Sequence, residues 1–577
     1  MARSEYVPVA EHDTLQEKGR MVVSAGGHSI ALFAHEGAVY AVDNRCPHMG
    51  FPLSEGTVED GMLTCHWHHA RFELACGDTL DIFADDVQTY PVEVADGEVR
   101  VDPDPPREVP AETHWRNRLV DGMQETLSLV MAKAVIKLDD LGEGFATPVE
   151  TALDFGVDYR SAGWGRGLTT LGVAANLYSH LDHDGKLRAM HVGASEVATN
   201  CAGEPPRFDQ YALGNEDLSK ARLKSWFRET CEVRDADGAE RCLRTAVAVL
   251  DPEEVVEILL AAATDHLYLN ASHTLDFVNK ACETLDHVGW NRAEDVLAAT
   301  VQQFTEANRA EERSEWRQPV DVAALAFEVQ DALPDLVAAA EGREWTRPTG
   351  FVERLLSDDP EVITDALREA VREGATAVQL TDAVARAATL RVARFGTSNE
   401  FRDWNTVHHT FSYANAAHEL ARRTDATEAY RPAVDGAMSV YLDRFLNQPP
   451  APVPEPEDTG REPREVRADL LDTFDEQGRV DEAGRLAAEH FGVGGDWHSL
   501  VRALGEGVLR EDPQFHTLQN VEAAVRRAER ASGEQGRRLP LIATSRYLAA
   551  HSPTRRESEQ TVTIARRLHR GEQIHGE

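Results

Sequence analysis

Two short segments each pair a cysteine with a nearby histidine. The first is Cys46-Pro-His48, and after sixteen intervening residues the second is Cys65-His-Trp-His68. Thiolates and imidazoles bind iron and zinc, and each segment contributes one ligand of each kind. This division suits a [2Fe–2S] cluster in which two thiolates hold one iron and two imidazoles hold the other. The alternatives are a chance coincidence of cysteines and histidines and a Cys₂His₂ zinc site, but a zinc finger places its two cysteines together and its two histidines together.

The surrounding residues favour a small β domain that could hold both segments. Between residues 4 and 101 the sequence predicts short, often β-branched strands separated by glycine, aspartate or asparagine. The run Val92–Val99 contains an Asp-Gly pair between two such strands, which predicts a hairpin. Gly50 follows the first segment, as expected for a tight loop that closes over a cluster.

Both segments begin longer motifs that resemble the Rieske domains of ferredoxins and aromatic-ring oxygenases. The motifs read Cys-Pro-His-Met-Gly-Phe-Pro-Leu-Ser-Glu-Gly from Cys46 and Cys-His-Trp-His-His-Ala-Arg-Phe from Cys65. The resemblance covers residues 1–104 and implies one [2Fe–2S] cluster per chain. The implied cluster ligands are Cys46, His48, Cys65 and His68.

Four positions near these ligands differ from the cytochrome bc-type Rieske proteins, and the difference affects the redox potential. That family carries two further cysteines, which form a disulfide, where this chain has Phe51 and Trp67. It carries serine and tyrosine hydroxyls near the cluster where this chain has Ala70 and Phe72. The resemblance therefore implies a potential toward the low end of the Rieske range of about −150 to +300 mV.

Composition limits the classes of partner that the chain can have. Of its 577 residues, 59 are basic and 99 are acidic, so the formal charge is −40, and 42% are hydrophobic. A chain this acidic is a poor partner for nucleic acid or for an anionic membrane surface. No apolar stretch approaches the roughly 20 residues that a membrane-spanning helix needs. Seven scattered cysteines indicate a reducing cytoplasm rather than a disulfide framework.

The sequence predicts a multidomain chain in which a small all-β Rieske domain is followed by a large all-α domain. Beyond residue 112, stretches rich in Ala, Leu, Glu and Arg carry apolar residues at helical spacing. Two proline-rich runs suggest linkers. The predicted order is the β domain at 1–104, a linker at 105–112, a helical body at 113–447, a second linker at 448–465 and a helical segment at 466–577.

The helical body contains one internal repeat. The segments His273–Glu283 and His409–Glu419 match at a histidine, a threonine, an aromatic residue, an asparagine, an alanine and a glutamate in the same register. Both segments are helical in pattern, so a duplicated helical unit is the preferred interpretation, and chance matching is the alternative.

Histidines in and near this repeat suggest a second functional site. His266, Asn270 and His273 would share one face of a helix, as would His408 and Asn415. Leaving an imidazole unpaired in a core costs on the order of 1–3 kcal/mol, so a substrate or a metal could satisfy such groups. The alternative is that they are buried or capping histidines of packed helices. We predict that four histidines line a common interior site: His266, His273, His408 and His409.

The helical body also resembles questin oxidase-like proteins, which are helical enzymes linked to oxygen-dependent cleavage of polyketide quinones. The matching segments are His191-Val-Gly, His409-Thr-Phe-Ser-Tyr-Ala-Asn-Ala and Phe515-His516-Thr-Leu-Gln. The resemblance implies a histidine-lined pocket for an aromatic or quinone-like substrate, reduced or oxygenated with electrons from the cluster. The Asp-x₂-His-x₄-His spacing of ring-hydroxylating oxygenases is absent, so the resemblance to that family ends at residue 104.

Two functions are compatible with this sequence. A Rieske centre moves one electron at a time, so it requires a donor and an acceptor. In the first, the chain is an oxidoreductase whose cluster passes electrons to the histidine-lined body. The donor would be a flavin- or nicotinamide-dependent reductase and the substrate a small molecule. In the second, the chain is an electron-carrier ferredoxin whose helical body is a non-catalytic scaffold for docking partners.

Overall fold

The structure is a computed structural model that describes residues 6–106, 109–215, 217–269 and 272–574. It confirms the predicted fold class, because short strands occupy the N-terminal part and helices most of the remainder. The strands are β1 (Val7–Glu11), β2 (Arg20–Ala25), β3 (His28–His35), β4 (Ala38–Asp43), β5 (Thr57–Glu59), β6 (Met62–Thr64), β7 (Arg71–Glu73), β8 (Val92–Ala95) and β9 (Glu98–Val101).

One short α-helix lies in the N-terminal part, and the other α-helices follow after residue 110. They are α1 (His12–Lys18), α2 (Ala111–Gln124), α3 (Ser128–Asp140), α4 (Ala146–Asp158), α5 (Arg166–Leu177), α6 (His183–Cys201), α7 (Lys220–Glu232), α8 (Ala236–Val249), α9 (Pro252–Ala263), α10 (Thr274–Val288), α11 (Ala293–Ala298), α12 (Gln302–Thr305), α13 (Val322–Ala339), α14 (Phe351–Leu355), α15 (Pro360–Arg372), α16 (Ala377–Ala393), α17 (Asp403–Ala421), α18 (Arg431–Leu442), α19 (Pro463–Thr473), α20 (Val480–Gly492), α21 (Trp497–Leu509), α22 (Phe515–Arg530), α23 (Glu534–Ala550) and α24 (Glu557–His569).

The strands form three antiparallel sheets, in the orders β1-β9-β8, β2-β3-β4 and β5-β6-β7. The predicted hairpin joins β8 to β9 through Asp96 and Gly97, whose φ angles are 55° and 81°. Two positive φ angles are what a tight two-residue hairpin turn requires. Strands β5, β6 and β7 are not predicted by the sequence pattern, because strands of three residues are too short to show alternation. The short helix α1 is not predicted either.

Strand β3 explains why the β domain has two small cores. Ile30 and Leu32 are buried in one hydrophobic cluster. Ala31 and Phe33 are buried in a second cluster, which also contains the cysteine Cys46. Successive side chains of a strand point to opposite faces of the sheet, so one unbroken apolar run fills both cores. The cysteine-bearing loops therefore rest on a packed core.

The chain divides into two compact units whose boundaries differ from the predicted domains. The first unit comprises residues 1–151 together with 560–577, and the second comprises residues 152–559. The proline-rich run at 105–112 therefore lies inside the first unit instead of ending it.

Packing accounts for the larger first unit. Arg118 of α2 donates hydrogen bonds to the backbone carbonyls of Ile82 and Ala84, at 2.9 and 2.8 Å. Composition could not reveal this arrangement, because an amphipathic helix packs on a β domain as readily as on other helices.

The predicted segment at 466–577 is not a separate unit either. Val480, Ala523 and Tyr547 are buried in the same hydrophobic core as Val384 and Phe411, which precede the second proline-rich run. That run, at 448–465, has no regular secondary structure until α19 begins at Pro463, as expected for an extended segment. It connects two parts of one core.

The proposed helical face that would carry His266 and His273 does not exist. Helix α9 ends at Ala263 and α10 begins at Thr274, so His266 lies in the non-helical connection, and Asn270 is outside the described residues. His273 is the residue that caps the start of α10. The other predicted face, with His408 and Asn415, lies in α17 as expected.

No helix among the residues that the structure describes combines the length and the apolar character needed to cross a membrane.

Candidate metal centres

The two loops that carry the predicted cluster ligands have the same backbone design. In the first, the amide of Cys46 donates to the carbonyl of Phe51, 2.9 Å, and the amide of Gly50 donates back to Cys46, 2.8 Å. In the second, the amide of Cys65 donates to Ala70, 2.9 Å, and the amide of His69 donates back to Cys65, 3.1 Å. Gly50 and His69 stand at equivalent positions, both with positive φ, 81° and 61°. Each loop is thus a tight turn that presents its cysteine and histidine together.

The loops bring their ligands face to face. The rings of His48 and His68 are 4.8 Å apart between centroids. Cys46 and Cys65 are both buried and not in a disulfide. A hydrogen bond between the two thiols lowers the pKa of Cys65 to about 6 and raises that of Cys46, which burial raises further. This arrangement favours at least one thiolate near neutral pH, as cluster ligation requires.

His48 is also prepared to bind a metal. Its Nδ1 atom is buried and has no hydrogen-bond partner within the described residues. Burial lowers the pKa of His48 to about 4, and the nearby Lys133 and His68 lower it as well. The ring of His48 is therefore neutral at pH 7. An unpartnered, neutral imidazole nitrogen beside two buried thiols fits a [2Fe–2S] cluster. The His68 residue, by contrast, is exposed.

A lysine beyond the β domain contacts the first loop. Lys133 of α3 directs its Nζ atom to the carbonyl oxygens of Pro47, 2.8 Å, and His48. Burial lowers the pKa of Lys133 to about 8, opposed by the negative charge of Cys46. Lys133 therefore places a positive charge next to a predicted ligand.

The side chains around the loops match the reasoning about the potential. Ala70 and Phe72 are fully buried and carry no hydroxyl group. Phe51 and Trp67 contact each other, with ring centroids 6.2 Å apart. The low potential remains a prediction.

In the second unit, three histidines from separate parts of the sequence lie close together. His273 precedes α10, His409 lies in α17 and His516 lies in the first turn of α22. Each offers one ring nitrogen, and the three nitrogens lie within 4.8 Å of one another. The Nε2 atoms of His409 and His516 are 3.0 Å apart. We call these three residues the histidine triad.

A carboxylate orients one member of the triad. Nδ1 of His273 is 3.0 Å from Oδ2 of Asp276, and the side-chain amide of Gln519 donates to the same oxygen at 2.9 Å. Burial disfavours a charged His273, but Asp276 outweighs this and raises the pKa. In the neutral ring, an Nδ1–H that donates to Asp276 leaves a lone pair on Nε2, which is the usual arrangement of a metal-binding histidine. Because the pKa is raised, a metal would compete with a proton for Nε2.

The other two members are neutral at pH 7. Burial, together with the neighbouring His273, lowers the pKa of His409 to about 2 and that of His516 to about 4. Neutral imidazoles keep the lone pairs that a metal ion needs. The site is not sealed, because the side chain of His273 is 26% exposed.

His408 lies beside the triad with a different protonation pattern. Thr544 donates its hydroxyl to the Asn520 carbonyl oxygen, 2.7 Å, which leaves the amide NH₂ of Asn520 to donate to Nδ1 of His408, 3.1 Å. Burial holds the pKa of His408 well below its usual value, so the proton of the neutral ring lies on Nε2. This Nε2–H is buried and makes no close hydrogen bond in the part of the chain that the structure describes. The side chain of Gln519 is near enough to interact with His408, and it opposes the lowering of the pKa.

Aromatic rings surround these histidines. Phe277 stacks on His273 with ring centroids 5.1 Å apart, and Phe515 meets the same ring edge-on at 5.5 Å. Tyr547 lies 5.4 Å from His408. The surroundings are thus apolar and aromatic around a few polar atoms, as is common in small-molecule sites.

The structure brings together three of the four histidines predicted to share a site, namely His273, His408 and His409. His266 is engaged elsewhere, with Nδ1 2.6 Å from Glu311 and Nε2 2.8 Å from Glu232. The sequence reasoning did not select His516 as a site residue. Its only sequence signal was its place in a segment that resembles questin oxidase-like proteins.

Comparison with known proteins identifies the family of the β domain. The Rieske [2Fe-2S] domain family matches residues 5–91. The ferredoxin component of an alkene monooxygenase system from Xanthobacter autotrophicus is 35% identical over 102 residues, which are 18% of this chain and 84% of that protein. A ferredoxin component of naphthalene 1,2-dioxygenase/salicylate 5-hydroxylase systems from Ralstonia is 33% identical over 90 residues, which are 15% of this chain and 86% of that protein.

One solved structure matches a similar share of this chain. The ferredoxin of carbazole 1,9a-dioxygenase from Nocardioides aromaticivorans is 26% identical, and the match covers 18% of this chain and 100% of that one, with a TM-score of 0.17. The identity to the Xanthobacter and Ralstonia ferredoxins, over most of their length, shows that this chain belongs to the Rieske [2Fe–2S] family through its N-terminal domain.

Proposed function

We propose that this chain is a Rieske oxidoreductase in which single electrons pass from the [2Fe–2S] cluster to a metal bound by the histidine triad. The cluster would be held by Cys46, His48, Cys65 and His68. When bound, the cluster supplies one-electron transfer, and a metal on three imidazoles supplies a redox centre with open coordination positions.

The observation that carries the proposal is the triad with its supporting carboxylate. Three ring nitrogens, one from the residue before α10 and one each from α17 and α22, lie within 4.8 Å of one another. Asp276 fixes the tautomer of His273. If these histidines were only structural, each imidazole would be expected to have its own polar partner. Here the Nε2 atoms of His409 and His516 face each other instead.

Electron transfer from the cluster limits which metal the triad could bind. Imidazole ligands suit zinc, copper, iron and nickel. Zinc has no redox chemistry, so it could not accept electrons from a Rieske centre. Iron is the metal that we propose.

An aromatic or quinone-like substrate suits the surroundings of the triad. Phe277, Phe515 and Tyr547 provide ring surfaces. The buried Nε2–H of His408 can donate a hydrogen bond to a carbonyl or hydroxyl oxygen and thereby orient the ring. For an oxygenation, the substrate, O₂, two electrons and two protons would yield one inserted oxygen atom and one water.

The proposed donor is a flavin- or nicotinamide-dependent reductase in the cytoplasm. The relatives support this class of partner, since they are ferredoxin components of oxygenase systems. Their names equally favour a second candidate, an electron-carrier ferredoxin whose helical body is a docking scaffold without chemistry. Nucleic acid is not a proposed partner, because the chain carries a charge of −40.

Metal analysis combined with EPR distinguishes the two candidates. The purified full chain should contain iron beyond the two atoms of the cluster. The variant His516→Ala should lose the additional iron and keep the Rieske EPR signal, because the cluster ligands lie in the other compact unit.

His180→Ala is the matched control. His180 is also a half-buried histidine paired with a carboxylate, Glu529 at 3.1 Å, but it is not a triad member. The control should keep both the additional iron and the EPR signal. Wild-type protein with only the two cluster irons would favour the scaffold function. His516→Ala protein that keeps all of the additional iron would show that the triad does not bind it.

A further inference from the structure

Arginines line a cavity in the second compact unit, although the chain as a whole carries a charge of −40. The cavity measures about 460 Å³ and is bordered by α16, α17, α22 and α23. The charged residues that line it are Arg347, Arg386, Arg422, Arg527, Arg530 and Asp382.

Two carboxylates neutralise part of this positive charge. Asp382 is paired with both Arg347, at 2.9 Å, and Arg527. Glu419 accepts two hydrogen bonds from Arg530, at 3.0 and 2.9 Å. Asp382 and Glu419 are therefore the two carboxylates that pair with three of the arginines.

The remaining positive charge has no counter-ion in the described part of the chain. No hydrogen bond or ion pair there engages the side chain of Arg386 or Arg422. Arg527 is 6% exposed, and its Nη1 atom is buried without a hydrogen-bond partner. His418 also lines the cavity, but burial and Arg527 lower its pKa to about 4, so it adds no charge at pH 7. Five arginines and two carboxylates leave an excess of three positive charges.

A helix terminus adds to the positive potential. Helix α23 has seventeen residues and begins after Gly533, which provides no side-chain cap. The acidic residue of its first turn, Glu534, is paired with Arg538. Gln535 and Gly536 of its first turn line the cavity. Amide groups of a first helical turn have no partner within the helix, and together with the helix dipole they favour an anion.

We propose that this cavity binds a small molecule that carries a phosphate group, held by Arg386, Arg422 and Arg527. The guanidinium fork matches the geometry of phosphate oxygens, and an excess of three charges suits a dianion better than a single carboxylate. A volume of about 460 Å³ lies in the usual range for small-molecule sites and leaves room for an organic part. Val378 and Leu539 provide apolar walls for that part.

Isothermal titration calorimetry on the full chain at low ionic strength tests the proposal. The probes are pyrophosphate, adenosine 5′-monophosphate (AMP) and uncharged adenosine. Pyrophosphate should bind saturably at one site per chain, and adenosine should not bind. Binding of pyrophosphate alone would identify an inorganic phosphate as the ligand, whereas tighter binding of AMP would identify an organic one.

The double variant Arg386→Gln/Arg422→Gln should weaken pyrophosphate binding at least tenfold. Arg402→Gln is the control, because Arg402 is 82% exposed, pairs with Glu400 and lies outside the cavity. Should the double variant fail to fold, Arg422→Glu places a negative charge at an exposed position of the cavity and should weaken binding at least as much. Failure of both anions to bind saturably, or equal binding by these variants and Arg402→Gln, would overturn the proposal. None of these results depends on a metal at the histidine triad.

Discussion

Replacing Lys280 by methionine should lower the free energy of unfolding by about 3 kcal/mol, because Lys280 is the central cation of a buried network. Its Nζ atom donates to Glu283 of the same helix and to Glu522 of α22, at 2.7 Å each. Asn176 of α5 donates to both carboxylates, at 2.7 and 2.9 Å. The side chain of Lys280 is only 2% exposed. The network thus ties three helices together.

The magnitude follows from what the substitution leaves behind. Breaking a buried ion pair by removing one partner typically costs about 3–5 kcal/mol. The low end applies because Arg526 remains 3.4 Å from Glu522 and Asn279 still donates to Glu283 at 2.9 Å. Burial opposes ionisation of Glu283, but Lys280 and Arg526 outweigh it and hold its pKa at about 2. Burial raises the pKa of Glu522, which can therefore take up a proton and relieve part of the excess negative charge.

Urea unfolding at pH 7, followed by far-UV circular dichroism, measures the effect. The matched control is Lys220→Met. Lys220 also has two glutamates nearby, Glu257 at 2.9 Å and Glu254 at 3.6 Å, but its side chain is 36% exposed. Exposed pairs are worth about 0–1 kcal/mol, so the control should change little. The double variant Lys280→Met/Glu522→Gln should be more stable than Lys280→Met, because it removes one of the stranded charges.

Equal destabilisation by Lys280→Met and Lys220→Met would refute the reasoning that burial decides the cost. The network also joins α10, which begins directly after His273, to α22, which carries His516. Lys280→Met protein should therefore also retain less of the additional iron than Lys220→Met protein.

Three further predictions concern the cluster. His48→Ala and His68→Ala should each abolish the Rieske EPR signal. His66→Ala should keep it, because His66 is next to Cys65 but is not a predicted ligand. An unchanged signal in either ligand variant would contradict the assignment. The midpoint potential, measured by protein-film voltammetry, should lie below about 0 mV and change little with pH near neutrality. The reason is that Ala70 and Phe72 supply no hydroxyl donors to the cluster. A value well above 0 mV would show that other groups compensate for the missing hydroxyls. Lys133→Met should lower the midpoint by roughly 30–60 mV, about a three- to tenfold change in a one-electron equilibrium, because the reduced cluster loses a nearby positive charge. Lys18→Met, at the end of α1, should leave the midpoint where it is.

The cluster ligands are predictable from the sequence because each cysteine is close in sequence to its histidine. The spacing of Cys46 and His48, and of Cys65 and His68, is visible in two short segments. The same holds for the hairpin, whose Asp-Gly pair alone indicates the turn. The fold class follows from the change in periodicity after residue 112, which helical packing then confirms.

The histidine triad is only partly predictable, because its members are joined by tertiary packing. His273 and His409 can be paired through the repeat, but His516 lies 107 residues beyond His409 and shares no local pattern with it. The prediction for His266 failed because it assumed helical spacing across a connection that is not helical. The arginine-lined cavity could not be predicted, since its residues come from four separate parts of the sequence.

The first compact unit contains residues from both ends of the described chain, and this has a consequence for its biosynthesis. Arg45, next to the ligand Cys46, donates a hydrogen bond to the backbone carbonyl of Glu572, 2.9 Å away and 527 residues later. At about 5–20 residues per second, the ribosome needs roughly 25–100 s to travel between them. During that interval the nascent Rieske domain lacks the packing of α24. The loop that carries Cys46 is therefore synthesised well before this part of its own compact unit exists.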